Sequence, residues 1–351
     1  MEKVIKVLVV DDSAYNRKAI TAMLESSSAV KVVGTAMDGE DAVKKVITLK
    51  PDIITLDLEM PKMDGFTFLR VMMSRFPTPT IVLSSRNEDK NVFKALELGA
   101  VDFIAKPTHH ISTEIIKIKE ELLYKVGMAG EVSIERIKVG KSQDIEKEKA
   151  PPKKVSTSMP QGKGMIVAIG ASTGGPPAIQ TVLSMLPADI QAAVVISQHM
   201  PPGFTRTFAE RLNKLSPLNV KEAEDGETVL PGSVLLSPGG YHMTFVEKSG
   251  SVRTRLLKGE AGDKYVPSVN RMFVSASEIF GEKTIGVVMT GMGDDGKDGT
   301  IGIKTRGGKT VAQSEDTSVI FGMPREAIST GMVDRILPLE GIADWIVSMC
   351  R

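Results

Sequence analysis

The sequence has very little cysteine and no excess of charge of either sign. Its single cysteine, Cys350, excludes an internal disulfide and a cysteine-based zinc cluster, and fits a reducing compartment. The 44 basic and 43 acidic side chains leave a formal charge of +1. No bulk field therefore draws the protein to nucleic acid or to an anionic membrane.

Long apolar segments are also lacking. No stretch approaches the roughly 20 apolar residues of a membrane span, and residues 1–12 run into two aspartates without the apolar core of a signal peptide. We therefore expect a cytoplasmic protein. The composition that remains, 42% hydrophobic and 25% charged over 351 residues, is typical of a globular protein with two domains.

Short apolar runs alternate with amphipathic helical patterns in both halves of the chain. The runs are residues 7–10, 53–56, 81–83 and 103–104 in the first third, and residues 165–169, 194–197, 234–237 and 284–289 later. Such alternation indicates parallel sheets that helices cover on both faces. We predict two doubly wound α/β domains, at residues 1–126 and 164–351. Residues 127–163, rich in charge and proline, are predicted to form the linker between them.

Polar residues follow consecutive strands of the first predicted sheet. Asp11 and Asp12 follow the first strand, Asp57 follows the second, and Ser84 and Lys106 follow the next two. The carboxyl ends of parallel strands meet at one edge of a sheet, so these side chains should converge. Converging carboxylates need a cation between them, and oxygen ligands suit Mg²⁺. With a hydroxyl and an ammonium nearby, the set predicts a phosphoryl site.

Any one of these residues has a plainer interpretation, because an acid after a strand often caps a helix or forms a turn. All five in order argue against that interpretation for the set. The arrangement resembles the receiver domain of two-component response regulators over about residues 3–124. The matching motifs are Val-Val-Asp-Asp-Ser at 9–13, Leu-Asp-Leu-Glu-Met-Pro at 56–61, Met-Asp-Gly at 63–65, and Lys-Pro at 106–107.

The receiver resemblance implies a flavodoxin-like fold in which Asp57 is the phosphoacceptor. It also implies that Asp12, Asp57 and the backbone carbonyl of Glu59 hold Mg²⁺. Asp11, Ser84 and Lys106 would then support the phosphoryl site, and Ser84 would form a switch pair with Phe103.

A sharp turn carrying a serine follows the first strand of the second domain. Residues 170–174, Gly-Ala-Ser-Thr-Gly, match G-x-S-x-G, in which small neighbours allow a strand-to-helix turn that exposes the hydroxyl of Ser172. A phosphate or dinucleotide loop and a plain glycine turn are competing interpretations. The dinucleotide interpretation weakens because Pro176 replaces the last glycine of such loops, and the domain lacks Tyr-x-x-x-Lys.

A serine nucleophile needs a base and an acid that orients the base. The chain has four histidines; His109 and His110 follow the Lys-Pro of the first domain, which leaves His199 and His242. His199 stands at a strand end like that of Ser172, whereas His242 is interpreted as a structural or site-lining residue. A later strand is followed by Thr-Gly-Met-Gly-Asp-Asp-Gly at 290–296, which offers two acids and flexible backbone N–H groups.

These motifs, with Phe-Gly-Met-Pro-Arg-Glu-Ala at 321–327, resemble the catalytic domain of chemotaxis protein-glutamate methylesterases of the CheB type. The resemblance assigns Ser172 as nucleophile, His199 as base and Asp295 as the orienting acid. It places the backbone N–H groups of Thr173 and Met292 in the oxyanion hole. The family commonly has asparagine at the position of Asp294, so the Asp-Asp pair leaves open which acid contacts the base.

The same resemblance implies the reaction and its partners. The substrates would be glutamate γ-methyl esters on methyl-accepting chemoreceptors, with methanol as product, and receptor glutamines would be deamidated through the same intermediate. The chemotaxis histidine kinase would be the phosphodonor, and the unphosphorylated receiver would cover the Ser172 cleft. No cofactor is expected for ester hydrolysis, and neither nucleic acid nor direct membrane insertion is expected.

Two functions of other classes are weighed against this one. A DNA-binding output domain would need a small helical domain with a basic recognition helix, whereas the second half of the chain is glycine-rich α/β with balanced charge. An inactive adaptor that docks on receptors would share the same motifs, and an esterase assay separates it from the enzyme.

Overall fold

The computed structural model of the protein describes residues 4–84, 89–106, 112–129, 132 and 164–350. The chain divides into two compact units, Met1–Asp144 and Ile145–Arg351, and the division falls inside the predicted linker. Most of that linker, residues 130–131 and 133–163, lies outside the described residues, as do His109 and His110.

The first unit is a parallel sheet of five strands in the order β2-β1-β3-β4-β5. The strands are β1 Ile5–Val10, β2 Val30–Ala36, β3 Ile53–Asp57, β4 Thr80–Ser84 and β5 Asp102–Ala105. The helices are α1 Ala14–Leu24, α2 Gly39–Leu49, α3 Gly65–Arg75, α4 Asp89–Glu97 and α5 Ser112–Ala129. The strand order reverses at β1, so the carboxyl ends of β1 and β3 flank a crevice.

Two details of the first unit differ from the sequence prediction. Strand β2 is absent from the predicted set, because Lys31 and Gly34 interrupt its apolar run and this strand at the edge of the described sheet is only partly buried. Helix α5 continues to Ala129, so residues 127–129, at the start of the predicted linker, are helical.

The second unit contains a parallel sheet of seven strands in the order β14-β13-β12-β6-β7-β9-β8 and a separate antiparallel hairpin, β10–β11. The sheet strands are β6 Met165–Ala171, β7 Ala192–Gln198, β8 Asn219–Glu222, β9 Ser233–Leu236, β12 Thr284–Val288, β13 Lys309–Gln313 and β14 Arg335–Leu337. The hairpin strands are β10 Tyr241–Lys248 and β11 Ser251–Lys258. The helices are α6 Gly175–Met185, α7 Phe204–Leu215, α8 Val269–Phe280, α9 Lys297–Thr305, α10 Met323–Ser329 and α11 Leu339–Met349. The predicted α/β class is confirmed for both units.

The strand order of the second unit also reverses at one place. From β6 the chain runs outward to β7 and beyond, and it later returns to the other side of β6 with β12. The carboxyl ends of β6 and β12 therefore flank the crevice where doubly wound sheets bind their ligands. Ser172 follows β6, and the loop of residues 290–296 follows β12.

Helix α8 is anchored by its apolar face, which brings its N-terminus to this crevice. Met272 and Phe273 are fully buried and belong to the same core cluster as Ile166 and Ala168 of β6. Ser268 precedes the helix, and its side chain accepts a hydrogen bond from the Arg271 N–H as an N-cap. Among the described helices, none has the length and apolar character needed to span a membrane.

Candidate active site and phosphoryl site

The backbone around Ser172 is held in a tight turn between β6 and α6. The Ser172 N–H donates to the carbonyl oxygen of Thr290 at 3.0 Å, and the Gly175 N–H donates to the carbonyl oxygen of Ser172 at 2.8 Å. Gly174 has a φ of +75°, a conformation that favours glycine. The Gln198 side-chain amide, at 2.9 Å, also donates to the Ser172 carbonyl oxygen. The turn predicted from G-x-S-x-G is therefore present, with α6 beginning directly after it.

Gly291 allows the loop after β12 to approach this turn. A side-chain carbon at Gly291 would lie 2.7 Å from the Ser172 Cβ and 2.9 Å from the Ser172 nitrogen, closer than atoms can pack. Two residues named for the oxyanion hole also meet here, because the Thr173 hydroxyl lies 3.3 Å from the sulfur of Met292. Both residues are buried. The loop therefore lies directly against the serine turn.

His199 is brought next to the serine turn by strand pairing. It follows β7, and its backbone N–H donates to the carbonyl oxygen of Ala171 at 3.0 Å, which continues the β6–β7 pairing beyond the strand ends. The Nε2 atom of His199 lies 2.8 Å from Oδ2 of Asp295. An ionised carboxylate only accepts hydrogen bonds, so Nε2 carries the proton and Nδ1 is the basic nitrogen.

The Ser172 hydroxyl makes no hydrogen bond within the described residues. Nucleophile–base hydrogen bonds are often long before a substrate is bound and shorten in the reacting complex. The structure thus joins His199 to Asp295 and brings the serine turn alongside, while the Ser172 hydroxyl remains available.

Asp295 is fully buried against the N-terminus of α8. The N–H groups of Val269 and Asn270 donate to its two oxygens at 2.7 and 2.8 Å, and the Ser268 hydroxyl donates at 3.2 Å. Burial raises the pKa of Asp295, but the hydrogen bonds from His199, Asn270 and Val269 outweigh it and hold the pKa below its ordinary value. This carboxylate is therefore ionised and fixed in place.

Asp294 has different partners from its neighbour. Its Oδ1 accepts hydrogen bonds from Lys264 Nζ at 2.7 Å and from the Tyr265 hydroxyl at 2.9 Å, and its side chain is 49% exposed. The hydrogen bond from Lys264 lowers the pKa of Asp294 despite partial burial. Of the two acids that the sequence offered, Asp295 is the one that contacts His199.

His242 is fully buried and contacts Ser268, the residue that precedes α8. Its Nδ1 accepts a hydrogen bond from the Ser268 N–H at 3.2 Å, so its Nε2 carries the proton and donates to Asp263 at 2.9 Å. Both ring nitrogens are thus engaged, and Asp263 also pairs with Arg271. This geometry fits the structural interpretation of His242 made from the sequence.

Sequence reasoning missed several residues that surround the His199–Asp295 pair. Tyr265, Ser268 and Asn270 line a cavity of about 450 Å³ beside Asp295. Ser268 carried a usable signal, because a serine before an apolar helical pattern is a typical N-cap. Tyr265 carried none, since His199 and Asp294, which it contacts at this site, are distant from it in sequence.

The predicted phosphoryl residues meet at the crevice of the first unit. One side-chain oxygen from each of Asp11, Asp12 and Asp57 lies within 4.8 Å of the others. The Lys106 ammonium lies 2.7 Å from Asp57 and 3.0 Å from Asp11. The Lys106 N–H also donates to the carbonyl oxygen of Ser84 at 2.7 Å. All five residues predicted at strand ends are thus brought to one edge of the sheet.

The electrostatics of this site are set by burial. Burial raises the pKa of Asp57 to about 6, and the nearby Asp11 carboxylate acts in the same direction, while Lys106 opposes both. The pKa of Lys106 is raised, because its attraction to Asp57 and Asp11 outweighs burial. Ser84 and Phe103, the predicted switch pair, are both buried.

Known proteins match the two units separately and the chain as a whole. The model of the CheB methylesterase family matches residues 167–346, and that of the response regulator receiver domain matches residues 7–116. The crystal structure of the Thermotoga maritima CheB methylesterase catalytic domain has 41% sequence identity and a TM-score of 0.52, and the match covers 54% of this chain and 100% of that one.

Two full-length relatives carry the same name, protein-glutamate methylesterase/protein-glutamine glutaminase. The Geobacter sulfurreducens protein numbered 3 is 53% identical over an alignment of 361 residues that covers 99% of this chain and 97% of the relative. The Myxococcus xanthus protein numbered 1 is 47% identical over 348 residues, with 99% and 98% covered. This chain belongs to the CheB family of receiver-regulated protein-glutamate methylesterases/protein-glutamine glutaminases.

Proposed function

We propose that Ser172, His199 and Asp295 form the catalytic triad with which this chain demethylates glutamate γ-methyl esters on methyl-accepting chemoreceptors. The observation that carries the proposal is the 2.8 Å contact between His199 Nε2 and the buried Asp295 carboxylate, directly beside the serine turn. The pair leaves one basic nitrogen, Nδ1, for a proton. A base held in one tautomer next to an available hydroxyl is what nucleophilic catalysis requires.

In the first step of the proposed reaction, Nδ1 of His199 takes the proton of the Ser172 hydroxyl as Oγ bonds to the ester carbonyl carbon. The carbon–methoxy bond then breaks, His199 returns the proton to the leaving oxygen, and methanol departs. In the second step His199 removes a proton from water, which attacks the acyl carbon. The bond between the acyl carbon and Ser172 Oγ then breaks, His199 returns the proton to Oγ, and the glutamate side chain is released.

The negative oxygen of each tetrahedral intermediate needs hydrogen-bond donors. We assign this role to the backbone N–H groups of Thr173 and Met292, whose side chains touch beside the serine turn. A glutamine amide would pass through the same intermediate with ammonia as leaving group. The esterase and glutaminase activities in the family name are therefore expected from one site.

In the receiver unit, Asp57 is proposed as the phosphoacceptor and the chemotaxis histidine kinase as the phosphodonor. Attack by Asp57 on the phosphorus would break the phosphohistidine bond, and Lys106 faces the attacking carboxylate at 2.7 Å. The clustered carboxylate oxygens fit Mg²⁺, which Asp12, Asp57 and the Glu59 carbonyl would hold. When bound, the ion supplies positive charge at the phosphoryl oxygens, with Asp11 and Ser84 as supporting residues.

Phosphorylation is proposed to change the activity of the catalytic unit through the pair Ser84 and Phe103. The phosphoryl group adds negative charge and oxygen acceptors beside Ser84, which biases two arrangements of the receiver. The proposed domain limits are a receiver at residues 1–126, whose last helix runs on to Ala129, a linker at residues 127–163 and a catalytic domain at residues 164–351.

The decisive experiment is methanol release from membranes that contain a methylated chemoreceptor. We expect the full chain to release methanol, and a small phosphodonor with Mg²⁺ to raise the rate by about 5- to 150-fold, the usual range of coupling between sites. Asp57→Asn is the matched control, because it keeps the side-chain size but removes the nucleophile. Receptor binding without methanol release would favour an inactive adaptor, and equal activation of Asp57→Asn would overturn the regulatory assignment.

The acidity of Asp57 gives a second prediction. Because its pKa is raised to about 6, its carboxyl should titrate near pH 6 in a chelating buffer, as followed by carbon NMR with Asp57→Asn for assignment. Between its ordinary pKa and about 6 the folded state binds more protons than the unfolded state, so stability falls as pH rises through this window. Mg²⁺ should lower the midpoint, since a cation favours the ionised carboxylate. An ordinary, Mg²⁺-insensitive midpoint would contradict the proposed site.

A further inference from the structure

The imidazole of His199 is covered on one face by an aromatic ring. The rings of His199 and Tyr265 are stacked with centroids 4.9 Å apart and planes only 10° from parallel. The His199 side chain is 15% exposed, so most of its surface is covered. Offset parallel stacking at this separation is a favourable aromatic geometry.

The phenol of Tyr265 is in turn held from two sides. Its hydroxyl donates to Asp294 Oδ1 at 2.9 Å, and Lys264 Nζ donates to the same oxygen at 2.7 Å. The Lys264 ammonium also lies 4.9 Å from the centroid of the Tyr265 ring. Asp294 and Lys264 therefore fix the phenol at its hydroxyl and across its ring.

The stacked Tyr265 ring constrains the orientation of the His199 imidazole in a way that the hydrogen bond to Asp295 does not. The hydrogen bond between Nε2 and Asp295 fixes one atom of the imidazole, but the ring plane can still rotate about the axis of that bond. Such a rotation would swing the lone pair of Nδ1 away from the serine. A flat ring stacked on the imidazole blocks this rotation, because turning the plane would drive imidazole atoms into the phenol.

We infer that Tyr265 is a positioning residue that sets the plane of the His199 imidazole, and that Asp294 and Lys264 hold Tyr265 in place. The inference rests on the proposed function, since it concerns the base of that reaction. It also gives Asp294, the acid that does not contact His199, a role in the same site. Tyr265 acts on the reaction through His199.

The kinetic test compares Tyr265→Leu and Tyr265→Phe in the full chain. Loss of the flat ring should lower kcat for methanol release by about 10- to 100-fold with little change in KM, since misplacing a reacting group by about 1 Å costs up to about 100-fold. Phenylalanine keeps the ring and should restore most of that loss. Tyr241→Leu is the matched control, because Tyr241 is an exposed tyrosine of the same unit, and we expect it to leave kcat unchanged.

A rise in KM with kcat retained in Tyr265→Leu would overturn the inference, because it would make Tyr265 a substrate contact. An equal loss of kcat in Tyr265→Phe and Tyr265→Leu, with the stacking shift of the His199 ring protons retained in Tyr265→Phe, would also overturn it, because the stacked ring would then be present without its effect.

A spectroscopic test is independent of turnover. With four histidines in the chain, selective labelling gives few signals, and His199→Gln assigns the relevant one. Stacking should shift the ring protons of His199 upfield, and this shift should be lost in Tyr265→Leu and kept in Tyr265→Phe. An unchanged His199 spectrum in Tyr265→Leu would overturn the inference even if the esterase proposal holds. A lost shift would support it even if Ser172 proved not to be the nucleophile.

Discussion

Replacing Ser172 by alanine should lower kcat for methanol release by about 10⁴- to 10⁶-fold, the range seen when the nucleophile of a serine triad is removed. The substitution removes Oγ, the protein atom that is proposed to bond to the acyl carbon in the first step. Within the described residues its hydroxyl has no hydrogen-bond partner, so the thermal stability of the folded protein should be almost unchanged. A large loss of rate without a loss of stability is therefore the expected signature.

Ser184→Ala is a suitable control for this experiment. Ser184 lies on α6 in the same unit, and its hydroxyl donates to the Thr181 carbonyl oxygen of the same helix at 2.8 Å. We expect this variant to keep the wild-type rate. Retention of full activity by Ser172→Ala, measured as methanol release from methylated receptor, would reject Ser172 as the nucleophile.

The strand-end residues of both sites could be predicted from the sequence because parallel sheets impose a simple geometry. A buried strand is visible as an apolar run, and the residue after it must lie at the carboxyl edge. Asp57 and Lys106 in the first unit, and Ser172 and His199 in the second, were all located in this way. The strand order, which the structure provides, then shows which of these strand ends are neighbours.

Elements without a continuous apolar run were less predictable. β2 is interrupted by Lys31 and Gly34, and the β10–β11 hairpin lies apart from the main sheet, with charged side chains alternating along β11. The contacts of Tyr265 were not predictable at all, because it sits in a loop and meets His199 only through the packing of α8 against β6. Local sequence patterns contain no information on a contact between residues so far apart in the chain.

The choice between two adjacent acids illustrates the same limit. Asp294 and Asp295 have the same chemistry and follow the same strand, so their roles depend on which direction each side chain takes after β12. The fold turns Asp295 toward the N-terminus of α8, where backbone N–H groups stabilise a buried carboxylate. Asp294 faces Lys264 at a partly exposed position. Only the tertiary placement of α8 separates the two.

Asp295→Asn should therefore lower kcat by about 10⁴-fold, as expected when the orienting acid of a triad becomes an amide. Both oxygens of Asp295 accept backbone N–H donors, from Val269 and Asn270, so either orientation of the amide sets its NH₂ group against a donor. The variant should also lose about 1 to 3 kcal/mol of unfolding free energy, the cost of an unpaired buried group.

Asp294→Asn is the matched substitution at the neighbouring position. Its amide oxygen can still accept from Tyr265 and Lys264, and an exposed ion pair contributes about 1 kcal/mol or less, so kcat should stay within about fivefold of the wild type. The two variants should differ by about a thousandfold in methanol release and should also separate in thermal denaturation. If Asp295→Asn released methanol as fast as Asp294→Asn, the contact between Asp295 and His199 would not matter for the reaction, and Asp295 would be rejected as the orienting acid.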